Sequence, residues 1–291
     1  PQPKHPAPKA LPMRPLGIFT NVISARDHHE RADRIVELGF NCVQLEPLTP
    51  RDAITPQTMA AEAAPYHAAG LTVAAVAGYT NLVNPDATIC ERHLAELERV
   101  LAATPAAGCT DCCTETGTRN PSDQWLSHPS NTDQATWNLM LAAIDRLLPI
   151  AEAAGSRLAI EGYVENVVRT RSDVMRLLAQ RSSPALAVVL DPNNLYEQEM
   201  LTQQADELPA IVASLAPHAA IAHAKDVVYH YGSIDTPRAG TGVLDWPLFT
   251  RLLDQHCPDL PLILEHLSED QIPQVLGFVR EQCEAAVAIP T

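Results

Sequence analysis

The feature that most constrains the fold is an alternation of short apolar runs with longer amphipathic stretches, repeated eight times along the chain. The apolar runs, which predict strands, are Leu16–Thr20, Cys42–Glu46, Leu71–Ala77, Gly108–Thr114, Arg157–Glu161, Leu186–Asp191, Ala219–His223 and Leu262–Glu265. The amphipathic stretches, which predict helices, are Asp27–Leu38, Pro56–Ala69, Ala87–Ala103, Asp133–Ala154, Ser172–Arg181, Met200–Ala216, Trp246–His256 and Glu269–Ala288. Runs that are apolar throughout suit strands covered on both faces. Eight such units predict a (β/α)8 TIM barrel, a fold of about 250 residues.

Two further features define the predicted domain organisation. A doubly wound open sheet is the alternative fold, but the glycine-rich phosphate turn after its first strand is missing here. Proline cannot sustain a helix interior or a strand ladder, and the first fifteen residues contain Pro1, Pro3, Pro6, Pro8, Pro12 and Pro15. We therefore expect an N-terminal arm over residues 1–15, either extended on the surface or disordered, and one catalytic barrel over residues 16–291.

Charge and composition disfavour several classes of partner. The formal net charge is −15, and an acidic surface repels the phosphates that dominate nucleic-acid binding. No apolar run approaches the roughly 20 residues that span a bilayer. The seven cysteines are an odd number, and without a signal-peptide pattern they indicate reduced thiols and a cytoplasmic location. We expect neither a nucleic-acid nor a membrane partner.

Four successive strands end in a residue that can bind a metal ion: Glu161, Asp191, His223 and Glu265. One such residue could simply cap the next helix. Four of them, spaced by one strand–helix unit each, should surround the same mouth of the barrel. Buried carboxylates and imidazoles are costly unless paired or bound to a cation. Three carboxylates with one imidazole suit Mn²⁺ best, with Mg²⁺, Co²⁺ or Zn²⁺ as alternatives.

The four strand-end residues, together with the segment RAGTGVLDW at 238–246, resemble the sugar phosphate isomerase/epimerase family of xylose isomerase-like TIM barrels. The resemblance extends from about Leu16 to Ala288. It implies that Glu161 and Glu265 serve both as metal ligands and as the acid–base pair. The alternative is that both are ligands only and another group acts as the base.

The resemblance also implies residues that contact the substrate. Arg238 matches an arginine that holds a substrate oxygen in the family, and Glu46 matches a glutamate that faces the pocket. Lys225 and Asp226 follow the histidine in the sequence HAKD, and they could orient the substrate, orient a metal ligand or form a local ion pair. Asn194 stands where several relatives have a histidine, and an amide can act there only through hydrogen bonds.

Two long segments are candidates for loops over the site: residues 115–132 and residues 225–245. Long loops in compact domains tend to be functional, and both follow strands, so both should lie at the mouth. In the first segment, Trp125 and His128 could cover a sugar or could simply pack within the loop. Outside the site, His28 and His29 open the first helix and are predicted to be solvated.

The resulting functional hypothesis is a metal-dependent isomerase or epimerase of a sugar or polyol ketone, acting by proton abstraction next to a carbonyl through an enediolate. A lyase or dehydratase of a keto-sugar, keto-glycoside or keto-inositol is the alternative, because it begins with the same step. Phosphodiester cleavage would need more histidine ligands and a basic groove, and a binding-only barrel would not need both glutamates. The chain could also form a homo-oligomer.

Overall fold

Eight parallel strands close into a barrel in a computed structural model that describes residues 14–230 and 233–287. The barrel strands are β1 (Leu16–Phe19), β2 (Cys42–Leu45), β3 (Thr72–Ala77), β4 (Asp111–Glu115), β5 (Arg157–Glu161), β6 (Leu186–Leu190), β7 (Ala219–Ala224) and β10 (Leu262–Leu264). Their order around the barrel is β1-β10-β7-β6-β5-β4-β3-β2. The predicted (β/α)8 barrel is therefore confirmed.

Helices cover the outside of the barrel. They are α1 (His28–Leu38), α2 (Pro56–Ala68), α3 (Ala87–Ala103), α4 (Gln134–Ala154), α5 (Arg171–Gln180), α6 (Gln204–Leu215), α7 (Trp246–His256) and α8 (Ile272–Val287). Two predicted helix starts were wrong: the segments before α6 and α8 form separate 3₁₀ turns, at Gln198–Thr202 and Glu269–Gln271. Short 3₁₀ turns of this kind are common next to helix ends.

Local sequence signals explain where several helices begin and end. Thr55 and Thr170 each form a capping box at the start of α2 and α5, in which the hydroxyl accepts a hydrogen bond from the third helical N–H. Gly39 and Gly155 end α1 and α4 at φ 90° and 77°, a left-handed conformation that favours glycine. These caps bring the chain back towards the next strand.

The core has two layers, one between the strands and the helices and a smaller one inside the barrel. The inner layer contains many small side chains, including Ala75, Ala77, Cys113, Ala159 and Ala187. Small residues fill a narrow barrel without voids. They occupy its middle, so larger polar side chains can gather at the mouth where the strands end.

The second long segment contains an element that we did not predict. A two-stranded antiparallel sheet forms from β8 (Val228–His230) and β9 (Ser233–Asp235). The run is short and mixed in polarity, so its periodicity gives little sign of a strand. The small sheet begins at Val228, shortly after β7 ends at Ala224.

The predicted N-terminal arm lies outside the described residues, except for Arg14 and Pro15. Arg14 is buried, and its guanidinium donates to the Leu260 carbonyl oxygen at 3.3 Å and pairs with Asp254. The Pro15 carbonyl accepts a hydrogen bond from the Leu262 N–H at 2.9 Å. Across residues 14–230 and 233–287, no helix combines the length and the apolar character that crossing a membrane requires.

Candidate metal centre

The four predicted ligand residues lie together at the carboxyl ends of neighbouring strands. Glu161 is the last residue of β5, Asp191 directly follows β6, His223 is near the end of β7, and Glu265 directly follows β10. All four side chains are buried. One ligand atom from each lies within 4.8 Å of the others. The barrel geometry therefore brings side chains from four strands to one point.

His223 stands at the centre of this cluster. Its Nδ1 lies 3.2 Å from Glu161 Oε1, 3.2 Å from Glu265 Oε1 and 3.5 Å from Asp191 Oδ2. Its Nε2 lies 2.9 Å from Gln44 Oε1, and the Gln44 amide nitrogen donates to the Tyr79 hydroxyl. An amide oxygen can only accept, so Nε2 carries a proton towards it. This contact fixes the ring and turns Nδ1 towards the carboxylates.

A buried ammonium group also contacts the cluster. Lys225 Nζ lies 2.6 Å from Glu265 Oε1, 2.7 Å from Asp191 Oδ2 and 3.7 Å from Glu161 Oε1. Burial disfavours charged Lys225, but the charges of Asp191 and Glu265 outweigh it and hold its pKa well above its usual range. Burial likewise opposes ionisation of Glu265, yet His223 and Lys225 hold its pKa well below its usual range. The site is thus built from fixed, mutually stabilising charges.

The donor set fits a divalent cation. Three carboxylate oxygens and one imidazole nitrogen converge within a buried space. Hard oxygen donors with one histidine suit Mn²⁺ or Mg²⁺, and they suit these ions better than thiolate ligands do. Two further residues hold Glu161 in place: the Tyr79 hydroxyl donates to Oε2 at 2.6 Å, and Asn194 Nδ2 donates to Oε1 at 2.6 Å. Burial and the Glu161 charge raise the Tyr79 pKa well above its usual value, which keeps Tyr79 a donor.

A fifth acidic residue, Glu115, lies at the same mouth and was missed in the sequence analysis. It is the last residue of β4 and pairs in register with Glu161 on β5. Asn166 Nδ2 donates to its Oε2 at 2.6 Å. Burial, and then the charge of Glu161, raises the Glu115 pKa to about 8. The signal was available in the sequence, but the predicted strand ended one residue early, at Thr114.

Above the cluster opens a cavity of about 880 Å³. Four of the residues predicted to bind substrate line it: Glu46, Asn194, Lys225 and Trp125. The lining also includes residues that were not predicted: Phe19, Asn21, Val22, Arg51, Tyr79, Glu115, Gln124, Tyr163, Asp235, Thr236, His266 and Leu267. These residues come from the ends of several different strands and from the loops that follow them, which explains why periodicity alone did not identify them.

Three other predicted substrate residues lie outside the cavity lining. Asp226 is buried, and its carboxylate accepts hydrogen bonds from Gly240 N and Leu244 N and from the Trp246 indole. Arg238 pairs with Lys225 through the backbone. His128 Nδ1 accepts from Ser130 N and caps a 3₁₀ turn. Their contact with substrate stays a prediction, and in this structure they shape the loops around the site.

Comparison with known proteins gives a family and a fold. A family model described as xylose isomerase-like TIM barrel matches residues 32–282, which is most of the chain. No curated protein matches the sequence significantly.

Among solved structures, L-ribulose 3-epimerase has a TM-score of 0.71 at 18% identity, covering 94% of this chain and 96% of that chain. The 3-keto-D-glucoside 4-epimerase from E. coli has a TM-score of 0.68 at 15% identity, covering 92% and 99%. A xylose isomerase-like TIM barrel protein from Mycobacterium smegmatis in complex with magnesium has a TM-score of 0.69 at 16% identity, covering 95% and 98%. At these identities the likeness shows a shared fold.

Proposed function

This chain belongs to the family of xylose isomerase-like TIM barrels, and from that premise we propose that it is a metal-dependent sugar isomerase or epimerase. The observation that carries the proposal is the buried convergence of Glu161, Asp191, His223 and Glu265 beneath an open polar cavity. Strand ends at the mouth of a TIM barrel are where catalytic groups are found. Two of the related folds are epimerases of L-ribulose and of a 3-keto-D-glucoside, which supports a small sugar ketone as substrate.

The same four residues would hold the metal ion, with Mn²⁺ as the best fit and Mg²⁺, Co²⁺ or Zn²⁺ as alternatives. When bound, such an ion polarises a substrate carbonyl and the adjacent hydroxyl, which acidifies the C–H bond between them. The magnesium complex of a related fold is consistent with a divalent ion at such a site.

Glu161 and Glu265 would act as the acid–base pair. They come from β5 and from the end of β10, so they approach the centre from different sides of the barrel. One would remove the proton next to the carbonyl, and the other would return a proton to the resulting enediolate of the substrate. Tyr79 and Asn194 would position Glu161, and Lys225 would offset the charge of Glu265.

Deuterium exchange tests this proposal directly. We expect the Mn²⁺-loaded protein to incorporate solvent deuterium next to the carbonyl of a ketose such as D-fructose, as followed by NMR. Glu161→Gln and Glu265→Gln should each reduce exchange by roughly 10²-fold or more, because each removes one proton-transfer group. Glu37→Gln, on the exposed face of α1, is the matched control and should leave exchange unchanged.

The product distinguishes the two reaction classes that remain. An epimerised or isomerised ketose supports the proposal, whereas a new conjugated-enone absorbance would identify the lyase alternative. Near-normal exchange in either glutamine variant would contradict the two-glutamate mechanism. The cytoplasmic location and a homo-oligomeric state stay predictions.

A further inference from the structure

Glu115 is a buried carboxyl group beside the metal centre but not part of it. It is 9% exposed and faces the cavity. Asn166 fixes one of its oxygens at 2.6 Å. Within residues 14–230 and 233–287, no hydrogen bond or ion pair reaches the other oxygen. The side chain is therefore held in place, with its second oxygen free to form a hydrogen bond with a ligand in the cavity.

Among the residues that the structure describes, no cationic side chain lies within ion-pair distance of Glu115, which sets it apart from the three ligand carboxylates. His223 or Lys225 lies between 2.6 and 3.2 Å from each of the three ligand carboxylates. A buried carboxyl oxygen without a hydrogen-bond partner costs free energy whether or not the group is ionised. A ligand that contacts Glu115 would offset this cost, so a structural role alone does not explain the residue.

The surroundings of Glu115 indicate what such a ligand would be. Gln124 and Trp125 line the cavity with Glu115, and all three also border a small recess of about 10 Å³. Polar Thr80 and Asn81 complete much of that recess, and a space of this size holds about one oxygen-sized group. The Trp125 side chain is 48% exposed. An exposed indole at the edge of a polar cavity offers an apolar face to the C–H groups of a sugar ring.

The position of Glu115 places these residues beside the reacting centre. Glu115 on β4 pairs with Glu161 on β5, and neighbouring strands lie about 4.8 Å apart. The distance between these two strands is comparable to the width of one sugar ring. The cavity of about 880 Å³ is also near the upper end of the roughly 300–1,000 Å³ of typical ligand pockets. It offers more room than one small ketose needs.

We propose that Glu115, Gln124 and Trp125 form a subsite for a second sugar ring, so that the substrate is a glycosylated ketone rather than a free ketose. Glu115 and Gln124 would bind hydroxyl groups of this second ring, and Trp125 would stack on its apolar face. The proposal rests on the proposed function only in placing the reacting ketone at Glu161 and Glu265.

Binding of matched sugars tests this subsite. D-fructose is compared with isomaltulose and leucrose, which are fructose units carrying a glucosyl group on O6 and on O5. Calorimetric titration of the Mn²⁺-loaded protein should show at least one disaccharide binding about tenfold or more tighter than D-fructose, as expected for one or two well-placed hydrogen bonds plus stacking. Glu115→Ala and Trp125→Ala should each weaken disaccharide binding more than D-fructose binding, which lowers the ratio of the two affinities towards one.

Two control variants separate the subsite from general damage. Leu126→Ala changes an exposed neighbour on the same loop that does not line the cavity, and Glu37→Gln changes a remote surface carboxylate. Both should keep the full preference, and thermal unfolding of every variant checks the fold.

Equal binding of D-fructose and both disaccharides by the unaltered protein would overturn the subsite. So would a preference that survives in both Glu115→Ala and Trp125→Ala, or an equal loss of affinity for all three sugars in these variants. These results leave the proposed function intact, because that function is tested separately, by proton exchange between a ketone and solvent, by the glutamine variants at Glu161 and Glu265, and by metal binding.

Discussion

At the scale of single residues, Glu62 shows how a buried carboxylate supports the site from outside it. Glu62 lies on α2 and accepts hydrogen bonds from Leu48 N at 2.8 Å and Thr49 N at 2.7 Å. His28 Nε2 lies 3.1 Å from its Oε2, and His28 Nδ1 lies 2.7 Å from the Tyr66 hydroxyl. The prediction that His28 is solvated was therefore wrong, although His29 is exposed. This network anchors the segment that follows Glu46 at the cavity.

The pKa of Glu62 leads to a prediction about stability and pH. Burial opposes its ionisation, but hydrogen bonds from His28, Thr49 and Leu48 outweigh burial and lower its pKa from 4.5 to about 2. A group with a lowered folded-state pKa stabilises the fold above its unfolded pKa, and that contribution is lost as pH falls from about 4.5 towards about 2. We expect Glu62→Gln to reduce the free energy of unfolding at pH 7 by about 1–3 kcal/mol.

Denaturant unfolding at several pH values checks this effect. The difference in the free energy of unfolding between Glu62→Gln and the unaltered protein should shrink as pH falls below about 4.5. Glu37→Gln should change this free energy little at any pH. A difference that stays constant down to pH 3 would show that the Glu62 charge does not contribute.

At the scale of elements, the segment between β7 and α7 is organised around Asp226. Its carboxylate accepts hydrogen bonds from the backbone of Gly240 and Leu244 and from the Trp246 indole. Gly240 has φ +82°, and a Cβ at Gly242 would lie 2.3 Å from Asp226 Oδ1. The glycines of RAGTG thus permit a left-handed turn and a close approach to the carboxylate. The motif that carried the family resemblance is a loop folded around one acid.

Replacing this acid should loosen the loop without changing its shape. In Asp226→Asn an amide N–H faces a backbone or indole N–H, and two donors cannot form a hydrogen bond. We therefore expect a loss of about 1–3 kcal/mol in the free energy of unfolding. Hydrogen exchange should become faster in residues 227–245 before the rest of the barrel is affected. Asp33→Asn, on the exposed face of α1, is the matched control. Unchanged exchange in this segment would argue against Asp226 as its organising residue.

At the scale of the whole molecule, the proposed ion would connect four strands that lie far apart in the sequence. An ion bound by the folded state alone stabilises it by about 2.7 kcal/mol at 100 times its dissociation constant. We therefore expect saturating Mn²⁺ to raise the unfolding temperature of chelator-treated protein by roughly 5 °C or more. Asp191→Asn should abolish most of this shift, because it removes one of the four donors.

Differential scanning calorimetry measures this shift, with Mg²⁺, Co²⁺ and Zn²⁺ as parallel additions to rank the metals. Elemental analysis of the loaded protein should give one ion for each chain. If none of the four ions binds or changes the unfolding temperature, the metal-dependent mechanism is refuted.

Much of the architecture could be predicted from the sequence because it depends on local patterns. Apolar periodicity, caps and glycine stops act over a few residues, and they identified all eight barrel strands to within a few residues of their ends. The four candidate ligands were also identifiable, since each stands at the end of a strand and parallel strands end at the same mouth of a barrel.

Only the tertiary structure decided which other side chains meet at that mouth. Tyr79 and Glu161 are 82 positions apart in sequence, and Gln44 and His223 are 179 positions apart. Whether such residues touch depends on barrel closure and on side-chain direction, which no local pattern records. The same holds for the place of Lys225 among the carboxylates and for Glu115, which forms an ion pair with no cation in the described part of the chain. Local sequence determined which elements form, and the packing of distant strands determined the chemistry of the site.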